Sequence, residues 1–194
     1  MDEIVDWYRQ LDERIKKIMK VGSFILAIFI IAVIFIKFFY APMRINGDSM
    51  NPTLSDGDIV IIDKISYTFE EPERFDLIAF EYRYDFSQKY IKRIIGMPGE
   101  TLYIEDNVIY ILNDDTGQYE VLKEYYGYYS GTARFEDCAP VTMGADEYFV
   151  LGDNRYDSDD SRSTGVGLVK RDTIIGKACF RLLPFNGIGS LKYQ

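Results

Sequence analysis

The most strongly patterned part of this sequence is residues 90–100, which read Tyr90-Ile91-Lys92-Arg93-Ile94-Ile95-Gly96-Met97-Pro98-Gly99-Glu100. Branched and aromatic residues dominate its first half, as is typical of a β-strand. Because successive side chains of a strand point to opposite faces, Lys92 should share one face with Tyr90 and Ile94. Arg93 should share the other face with Ile91 and Ile95. The stretch therefore predicts a strand that carries two cations among apolar side chains.

Similar short runs lie on both sides of this strand, at Ile59–Ile62, Leu77–Phe80, Thr101–Ile104, Val108–Leu112 and Tyr148–Leu151. They are bounded by turn pairs such as Asp56-Gly57 and Pro98-Gly99. Many short strands with polar turns predict a mostly β domain over residues 41–194, built as an antiparallel sheet or partly open barrel. Residues 113–147 have the weakest pattern, and we expect them to be an insertion on that domain.

A long apolar run precedes the predicted β domain. It extends from Val21 to Tyr40, and its single charge is Lys37. About 20 helical residues span about 30 Å, the thickness of a bilayer's hydrocarbon core. A cleavable signal sequence is the alternative, but its apolar region would be about 7–15 residues and would end in an A-x-A-like site. The run therefore predicts an uncleaved transmembrane helix at residues 21–40.

The charges before this run predict its orientation. Basic residues concentrate on the N-terminal side, at Arg14, Lys16, Lys17 and Lys20. Such residues favour the cytoplasmic side of a membrane. We therefore expect residues 1–20 to form a cytoplasmic tail and residues 41–194 to lie outside, with the chain crossing the cell membrane once.

The composition narrows the possible chemistry. A chain of 194 residues has room for one membrane segment and one domain with a core. The net charge of −9 argues against nucleic acid as a partner, because phosphate binding needs a basic face. The sequence contains no histidine, which excludes the Ser-His-Asp triad and every zinc site that needs imidazole. A hydrolase with this sequence must use Lys, Asp, Glu or a terminal amine as its base.

Neither the cysteines nor the acidic residues indicate a metal or cofactor. Cys138 and Cys179 form no C-x-x-C motif, and two thiols alone cannot complete a structural zinc site. They could form a disulfide or remain as two buried thiols. The acidic loop at residues 152–162 does not fit a calcium-binding EF-hand, since the positions that need Gly and Glu hold Arg162 and Leu168.

Two residues could perform hydrolysis together. Ser49 lies in the turn Asn46-Gly47-Asp48-Ser49-Met50-Asn51-Pro52, and Lys92 lies on the predicted strand. Taken singly, a turn serine and a lysine that reaches solvent need no functional explanation. A buried lysine, however, has a pKa well below its usual value of about 10.4, and its amine could accept a proton from a serine hydroxyl about 3 Å away.

Six stretches, in this order behind the apolar run, resemble the bacterial type I signal peptidases. The matching stretches are Ser49-Met50-Asn51-Pro52-Thr53, Gly57-Asp58-Ile59-Val60, Lys92 to Glu100, Gly152-Asp153-Asn154-Arg155, Ser158-x-Asp160-Ser161-Arg162 and Ile175-Gly176-Lys177-Ala178. The resemblance covers nearly the whole chain. It implies a membrane-anchored serine endopeptidase that removes signal peptides from exported preproteins and works without a cofactor or metal.

The resemblance also implies roles for individual residues. Ser49 would be the nucleophile, Lys92 the general base, and Ser158 the residue that hydrogen-bonds and orients the Lys92 amine. Ion pairs that hold the site would come from Asp153, Asp160, Arg93 and Arg162. Shallow pockets that select Ala-x-Ala before the scissile bond would be lined by Ile45, Met50, Leu54, Tyr90 and Ile91. The implied partners are preprotein signal peptides and membrane lipid, with the secretion translocon as a further candidate.

The sequence departs from the family's pattern in three places. Gly47 replaces a serine whose hydroxyl helps to hold the oxyanion in many relatives, so the Ser49 backbone N–H would carry more of that role. Tyr156-Asp157 replaces the usual Asp-Asn, and Thr164 stands where an aromatic residue is common.

Two other classes of protein remain as alternatives. A Ser-Lys autoprotease of the repressor type shares the chemistry but is cytosolic, which the apolar run argues against. A membrane-tethered β domain that acts as an envelope adaptor would need neither Ser49 nor Lys92. Substitution of Ser49 by alanine distinguishes an enzyme from an adaptor.

Overall fold

A computed structural model describes residues 12–124, 126 and 136–191, and the chain divides into two units, Met1–Phe39 and Tyr40–Gln194. The first unit contains one long helix, α1, at Glu13–Phe39, none of whose residues is buried. By length and composition α1 could cross a membrane, with a mean hydropathy of 2.7 over its most apolar window.

The bounds of α1 differ from the predicted apolar run in two ways. The helix begins at Glu13, so Arg14 and Lys20 lie within it instead of before it. Lysine and arginine are good helix formers, and no strong helix breaker separates them from the apolar residues. At the other end Tyr40 is already the first residue of a strand.

The second unit is mostly β. In chain order its strands are β1 (Tyr40–Arg44), β2 (Ile59–Asp63), β3 (Leu77–Tyr82), β4 (Asp85–Gly96), β5 (Thr101–Glu105), β6 (Val108–Asn113), β7 (Gln118–Val121), β8 (Cys138–Thr142), β9 (Glu147–Leu151), β10 (Val169–Lys170), β11 (Ile174–Leu183) and β12 (Gly189–Ser190). A short helix, α2, spans Ser66–Phe69, and 3-10 turns occupy Arg171–Thr173 and Phe185–Gly187.

The strands form two open antiparallel sheets. The larger has the order β1-β2-β11-β3-β4-β9-β10, with β12 paired to β11, and the smaller has the order β7-β6-β5-β8. The prediction of a mostly β, antiparallel and incompletely closed domain behind one apolar helix is confirmed. The edge strands β1, β7 and β8 were not predicted, nor were β10 and β12, whose two residues cannot establish a period.

Three groups of buried apolar side chains form the core of this unit. One lies between the chain around residues 45–54 and strands β2, β3, β4 and β11, and it contains Ile45, Met50, Leu54, Val60, Ile62, Leu77, Ala79, Ile91 and Ala178. A second includes Ile78, Ile94 and Val150, and a third joins the two sheets through Ile95, Leu102 and Phe149. Strand β4 contributes to all three, which is why its inner half is buried from Ile91 to Gly96.

Residues 113–147 belong in part to the smaller sheet. Within them β7 pairs with β6 and β8 pairs with β5. Residue 125 and residues 127–135 lie outside the described part of the chain, so the expected insertion stays a prediction. Cys138 and Cys179 are both free thiols rather than a disulfide.

Candidate active site

Ser49 lies in a tight turn between β1 and β2, which we call the nucleophile turn and define as residues 47–54. Its first residue, Gly47, has a φ of +89°, and its N–H donates to Asp56 Oδ1 at 2.8 Å. After the serine, Leu54 N donates to Met50 O at 2.8 Å. Met50 and Leu54 are buried in the first core group. Apolar packing therefore anchors the turn on the C-terminal side of Ser49.

A second segment, the acidic loop at residues 152–162, closes over the nucleophile turn from the end of β9. Asn154 N donates to Ser49 O at 3.0 Å, and Asn154 Nδ2 donates to Asp48 O at 3.2 Å. These bonds satisfy two carbonyls of the turn and fix the backbone on either side of the Ser49 nitrogen.

Lys92 is placed against Ser49 by the centre of the larger sheet. It lies on β4, which pairs with β3 and with β9, and it is only 4% exposed. Its Nζ donates to Ser49 Oγ at 2.6 Å and lies 5.6 Å from the centre of the Tyr90 ring. Burial lowers the pKa of Lys92 to about 8, against an upward effect of the carboxylates of Asp160, Asp159 and Asp153. A substantial fraction of this amine is therefore neutral at mildly alkaline pH.

Two buried ion pairs hold the acidic loop. Arg93, the neighbour of Lys92 on β4, binds Asp153 through Nε–Oδ1 at 2.7 Å and Nη2–Oδ2 at 2.5 Å. Arg162 binds Asp160 through Nε–Oδ1 at 2.8 Å and Nη2–Oδ2 at 2.7 Å. Two-point contacts between guanidinium and carboxylate fix orientation as well as distance. The four residues predicted to form ion pairs are thus brought together as two pairs.

Ser158 does not make the hydrogen bond that was predicted for it. Its Oγ is buried and makes no hydrogen bond within the described part of the chain, so the expected bond to the Lys92 amine is not formed. The side chain packs instead on Gly152, where an added Cβ would lie 2.2 Å from Ser158 Oγ and 2.5 Å from Ser49 O. Gly152 therefore allows Ser158 and the Ser49 carbonyl to approach the same point of the loop.

A groove of about 660 Å³ passes over Ser49 and Lys92. Four of the five predicted pocket residues line it, namely Ile45, Met50, Tyr90 and Ile91. The fifth, Leu54, is not among the lining residues. It is fully buried in the first core group, which also contains Met50.

Several residues of the site were not singled out from the sequence. Asp48, Asp157 and Asp159 line the groove, as do residues 87–89 of β4. Extending the predicted strand from Tyr90 toward the N-terminus would have indicated residues 87–89. Among residues 12–124, 126 and 136–191 there is no group of three or more side chains placed to hold a metal ion.

Arg155 connects the acidic loop to the segment after β7. Its Nε donates to Gly152 O at 2.9 Å, and Nη1 binds Glu124 Oε2 at 2.9 Å. In addition, the ring of Tyr126 lies 3.9 Å from Arg93 Cζ. Arg155 belongs to the motif Gly152-Asp153-Asn154-Arg155. Glu124 and Tyr126 belong to no recognisable motif, because they meet the loop only in the folded chain.

A serine hydroxyl in contact with a buried amine, in a groove without histidine, is typical of the serine peptidases that use lysine as a base. The sequence profile of the family described as "Signal peptidase, peptidase S26" matches residues 18–183. The chain belongs to this family. Membership supports signal-peptide cleavage by a serine peptidase, with preprotein signal peptides as substrates.

Two relatives identified by sequence agree with this assignment. The chain is 33% identical over 172 residues to "Signal peptidase I T" of Bacillus subtilis (strain 168), covering 88% of each chain. It is 32% identical to "Signal peptidase IB" of Staphylococcus aureus, covering 81% of this chain and 85% of the relative. A crystal structure of a signal peptidase I from Enterococcus faecalis V583 is 35% identical over 56% of this chain and 97% of that one, with a TM-score of 0.46.

Proposed function

We propose that this chain is a membrane-anchored signal peptidase in which Ser49 is the nucleophile and Lys92 the general base. The observation that carries the proposal is the 2.6 Å contact between Lys92 Nζ and Ser49 Oγ, formed by an amine that is 4% exposed. Burial lowers the pKa of that amine to about 8, so deprotonation costs little near neutral pH.

In the proposed acylation step, neutral Lys92 accepts the Ser49 hydroxyl proton while Ser49 Oγ attacks the carbonyl carbon of the scissile bond. The resulting oxyanion is held by the Ser49 backbone N–H. When the tetrahedral intermediate collapses, the C–N bond breaks and the Lys92 ammonium donates its proton to the leaving amine. The signal peptide remains bound to Ser49 as an ester.

Deacylation uses the same amine. Neutral Lys92 takes a proton from a water molecule as the water oxygen attacks the ester carbonyl. Collapse of the second tetrahedral intermediate breaks the ester bond, and the proton returns from Lys92 to Ser49 Oγ. Lys92 returns to its neutral form after each step and must be neutral to begin the next one. Activity therefore falls as the pH drops below the pKa of this amine.

The other predicted site residues act by holding this pair. The Arg93–Asp153 ion pair ties the acidic loop to strand β4 beside Lys92, and the Arg162–Asp160 ion pair fixes the conformation of the loop itself. Ser158 is proposed to orient the Lys92 amine once substrate is bound: its buried Oγ has no partner within the described part of the chain and is available to accept a hydrogen bond that the present geometry does not contain.

The residues that line the groove support the proposal that cleavage follows an Ala-x-Ala-like motif. Ile45, Met50 and Ile91 line it and also belong to the first core group. Their backs are packed, so they cannot move aside for a large substrate side chain without overpacking the core. Shallow apolar pockets of this kind accept alanine and exclude larger residues.

The proposed location completes the function. Helix α1 spans the cell membrane once, residues 1–20 face the cytoplasm, and the catalytic domain at 41–194 lies outside, where signal peptides emerge. Membrane lipid and the secretion translocon are the proposed partners besides the preprotein.

The test is cleavage of a preprotein whose signal ends in Ala-x-Ala by the full chain in detergent with added lipid, from pH 6 to 10. Ser49→Ala and Lys92→Ala should each lose at least about 10³-fold in kcat/KM. The matched controls are Ser55→Ala, an exposed serine beyond the turn, and Lys89→Ala, which lines the groove.

The pH profile supplies a second readout. Because the neutral amine is the active form, kcat/KM should rise with pH through a midpoint of about 8 and then level off. Cleavage that persists in Ser49→Ala would overturn the choice of nucleophile. Folded wild type that cleaves nothing under these conditions would favour the adaptor over the enzyme.

A further inference from the structure

The segment that follows β7 contacts two arginines of the active site. We call residues 122–124 and 126 the post-β7 segment. In it Glu124 binds Arg155 of the acidic loop at two points, with Oε2 accepting from Nη1 at 2.9 Å and Oε1 accepting from Nη2. The ring of Tyr126 lies 3.9 Å from Cζ of Arg93, which binds Asp153 of the same loop. One short segment therefore meets both the loop and the arginine that ties the loop to β4.

The post-β7 segment is held in place by contacts outside the acidic loop. Leu122 N donates to Ile109 O of β6 at 2.8 Å, and the Leu122 side chain packs on the third core group. Phe75 meets the Tyr126 ring edge-on, with 5.2 Å between the ring centres. The smaller sheet and the core thus fix the position from which Glu124 reaches the loop.

The bond between Glu124 and Arg155 is almost completely shielded from water. The side chain of Arg155 is 0% exposed and that of Glu124 is 7% exposed. A guanidinium keeps its charge in a protein interior, so it needs a carboxylate or another acceptor close by. Two parallel bonds fix the plane of the guanidinium in addition to compensating its charge. Glu124 therefore orients the Arg155 guanidinium.

The same guanidinium holds the backbone next to the nucleophile. Arg155 Nε donates to Gly152 O at 2.9 Å. A Cβ added to Gly152 would lie 2.5 Å from Ser49 O, so these two residues are in close contact. The N–H of Asn154 donates to the same Ser49 carbonyl at 3.0 Å. Contacts thus lead from Glu124 through Arg155 to the backbone around Ser49.

We propose that Glu124 is a positioning residue of the peptidase: by fixing the Arg155 guanidinium it keeps the start of the acidic loop against the Ser49 carbonyl. The proposal rests on the proposed role of Ser49 as nucleophile. Glu124 lies outside the six stretches that resemble the family, so the role belongs to a segment that the motifs do not mark. Without its carboxylate a buried guanidinium is drawn toward solvent, and the Gly152 carbonyl loses a fixed donor.

The first test compares kcat, KM and the free energy of unfolding of wild type and Glu124→Gln, in detergent with added lipid and on the Ala-x-Ala preprotein. Glutamine has nearly the same shape but no charge, so the variant should be less stable and its kcat should fall about tenfold. A misplacement of about 1 Å caused far from the reacting atoms can cost up to about 10²-fold. KM should change little, because Glu124 and Arg155 are not among the residues that line the groove.

A double variant separates positioning from stability. Glu124→Leu with Arg155→Met leaves neither member of this pair as an unpaired buried charge, and it should recover most of the stability lost in Glu124→Gln. Its kcat should stay about tenfold below wild type, because methionine has no N–H to donate to the Gly152 carbonyl. This double variant also decides the matter if Glu124→Gln does not fold.

A second arginine–glutamate pair is the matched control. Glu100 binds Arg74 at two points, and Arg74 Nη1 also donates to a backbone carbonyl, that of Ile95, at 2.6 Å. This pair joins the end of β4 to the residue before β5. Glu100→Leu with Arg74→Met repeats the chemical change of the first double variant, and below its unfolding temperature it should keep kcat near the wild-type value.

Three outcomes would overturn the proposal. One is a Glu124→Gln variant that folds and retains the wild-type kcat. Another is recovery of kcat together with stability in the Glu124→Leu and Arg155→Met double variant, because Glu124 would then matter for stability alone. The third is an equal loss of kcat in the control pair, since the loss would then not depend on the acidic loop. Failure of the underlying function is distinguishable, because it appears as cleavage that survives Ser49→Ala.

Discussion

The nucleophile turn and the acidic loop hold the two sides of the same site by different physical means. The turn is anchored by apolar side chains, Met50 and Leu54, which are buried in the first core group. The loop is anchored to β4 by the buried ion pair Arg93–Asp153, and the ion pair Arg162–Asp160 stabilises it internally. Apolar burial is non-directional, whereas a two-point ion pair fixes the orientation of the groups that it joins.

The difference indicates what each segment contributes. The turn needs only to hold the Ser49 backbone close to Lys92, because the Ser49 hydroxyl can rotate toward the Lys92 amine. The loop must orient several backbone groups at once, including the Gly152 N–H that donates to Asp160 Oδ2 at 3.0 Å and the Asn154 N–H that donates to Ser49 O. Ion pairs suit that task, although they add little net stability when intact.

The largest expected effect comes from breaking the loop's anchor at Asp153. In Asp153→Ala the Arg93 guanidinium, which is 2% exposed, loses its partner carboxylate. Leaving a buried charge unpaired should lower the free energy of unfolding by about 3–5 kcal/mol. Denaturant unfolding of the full chain in detergent measures this change.

The control for this prediction is Asp157→Ala, which removes an exposed carboxylate from the same loop and should change stability by less than about 0.5 kcal/mol. A double variant, Arg93→Met with Asp153→Leu, should recover most of the lost stability, because no buried charge is then unpaired. If Asp153→Ala were as stable as Asp157→Ala, the ion pair would not anchor the loop.

Removing an apolar side chain that anchors the nucleophile turn should lower the free energy of unfolding by somewhat less. Leu54 is 0% exposed, and Leu54→Ala removes apolar contacts and leaves a cavity, which lowers the free energy of unfolding by about 2–5 kcal/mol. No ionisable group changes, so the cost should be the same at pH 6 and pH 9. Leu182→Ala, at an exposed position of β11, is the control and should cost little. A cost of Leu54→Ala that varied strongly with pH would contradict apolar anchoring.

The smallest expected effect concerns the backbone at the start of the turn. Gly47 has a φ of +89°, but an added Cβ would meet no atom within 4 Å. The cost of Gly47→Ala is therefore backbone strain alone, about 1–2 kcal/mol. Gly189→Ala is a matched control, since its Cβ site is equally open and its φ is not in the left-handed region. Equal thermal unfolding temperatures for the two variants would show that the turn tolerates a side chain at Gly47.

Much of the fold could be predicted locally. The inner half of β4, the strand at Ile59–Asp63 and the hairpin of β5 and β6 have strong alternation or branched residues, and each was predicted close to its observed bounds. The short edge strands β10 and β12 were not predicted, because two residues cannot establish a period. Their conformation depends on pairing with β9 and β11, which is a tertiary effect.

The candidate site was predictable to a similar extent. Four of the five expected pocket residues line the groove, but Leu54 lies in the core beneath it. The acidic side of the groove was missed, because Asp48 and Asp159 are far apart in the chain and neither forms a motif by itself. Glu124 was missed for the same reason, as its carboxylate reaches Arg155 from a segment without a recognisable pattern.

By itself, the sequence determined the class of chemistry and the kind of domain. The lack of histidine excludes imidazole as the base, the apolar run predicts a helix long enough to span a membrane, and the alternation at residues 90–95 predicts a strand with Lys92 on it. These properties depend on composition and on neighbours in the chain. The tertiary structure alone decided that Lys92 Nζ lies 2.6 Å from Ser49 Oγ and that its pKa falls to about 8. Burial and the field of nearby charges are set by residues distant in sequence, which only the folded chain brings together.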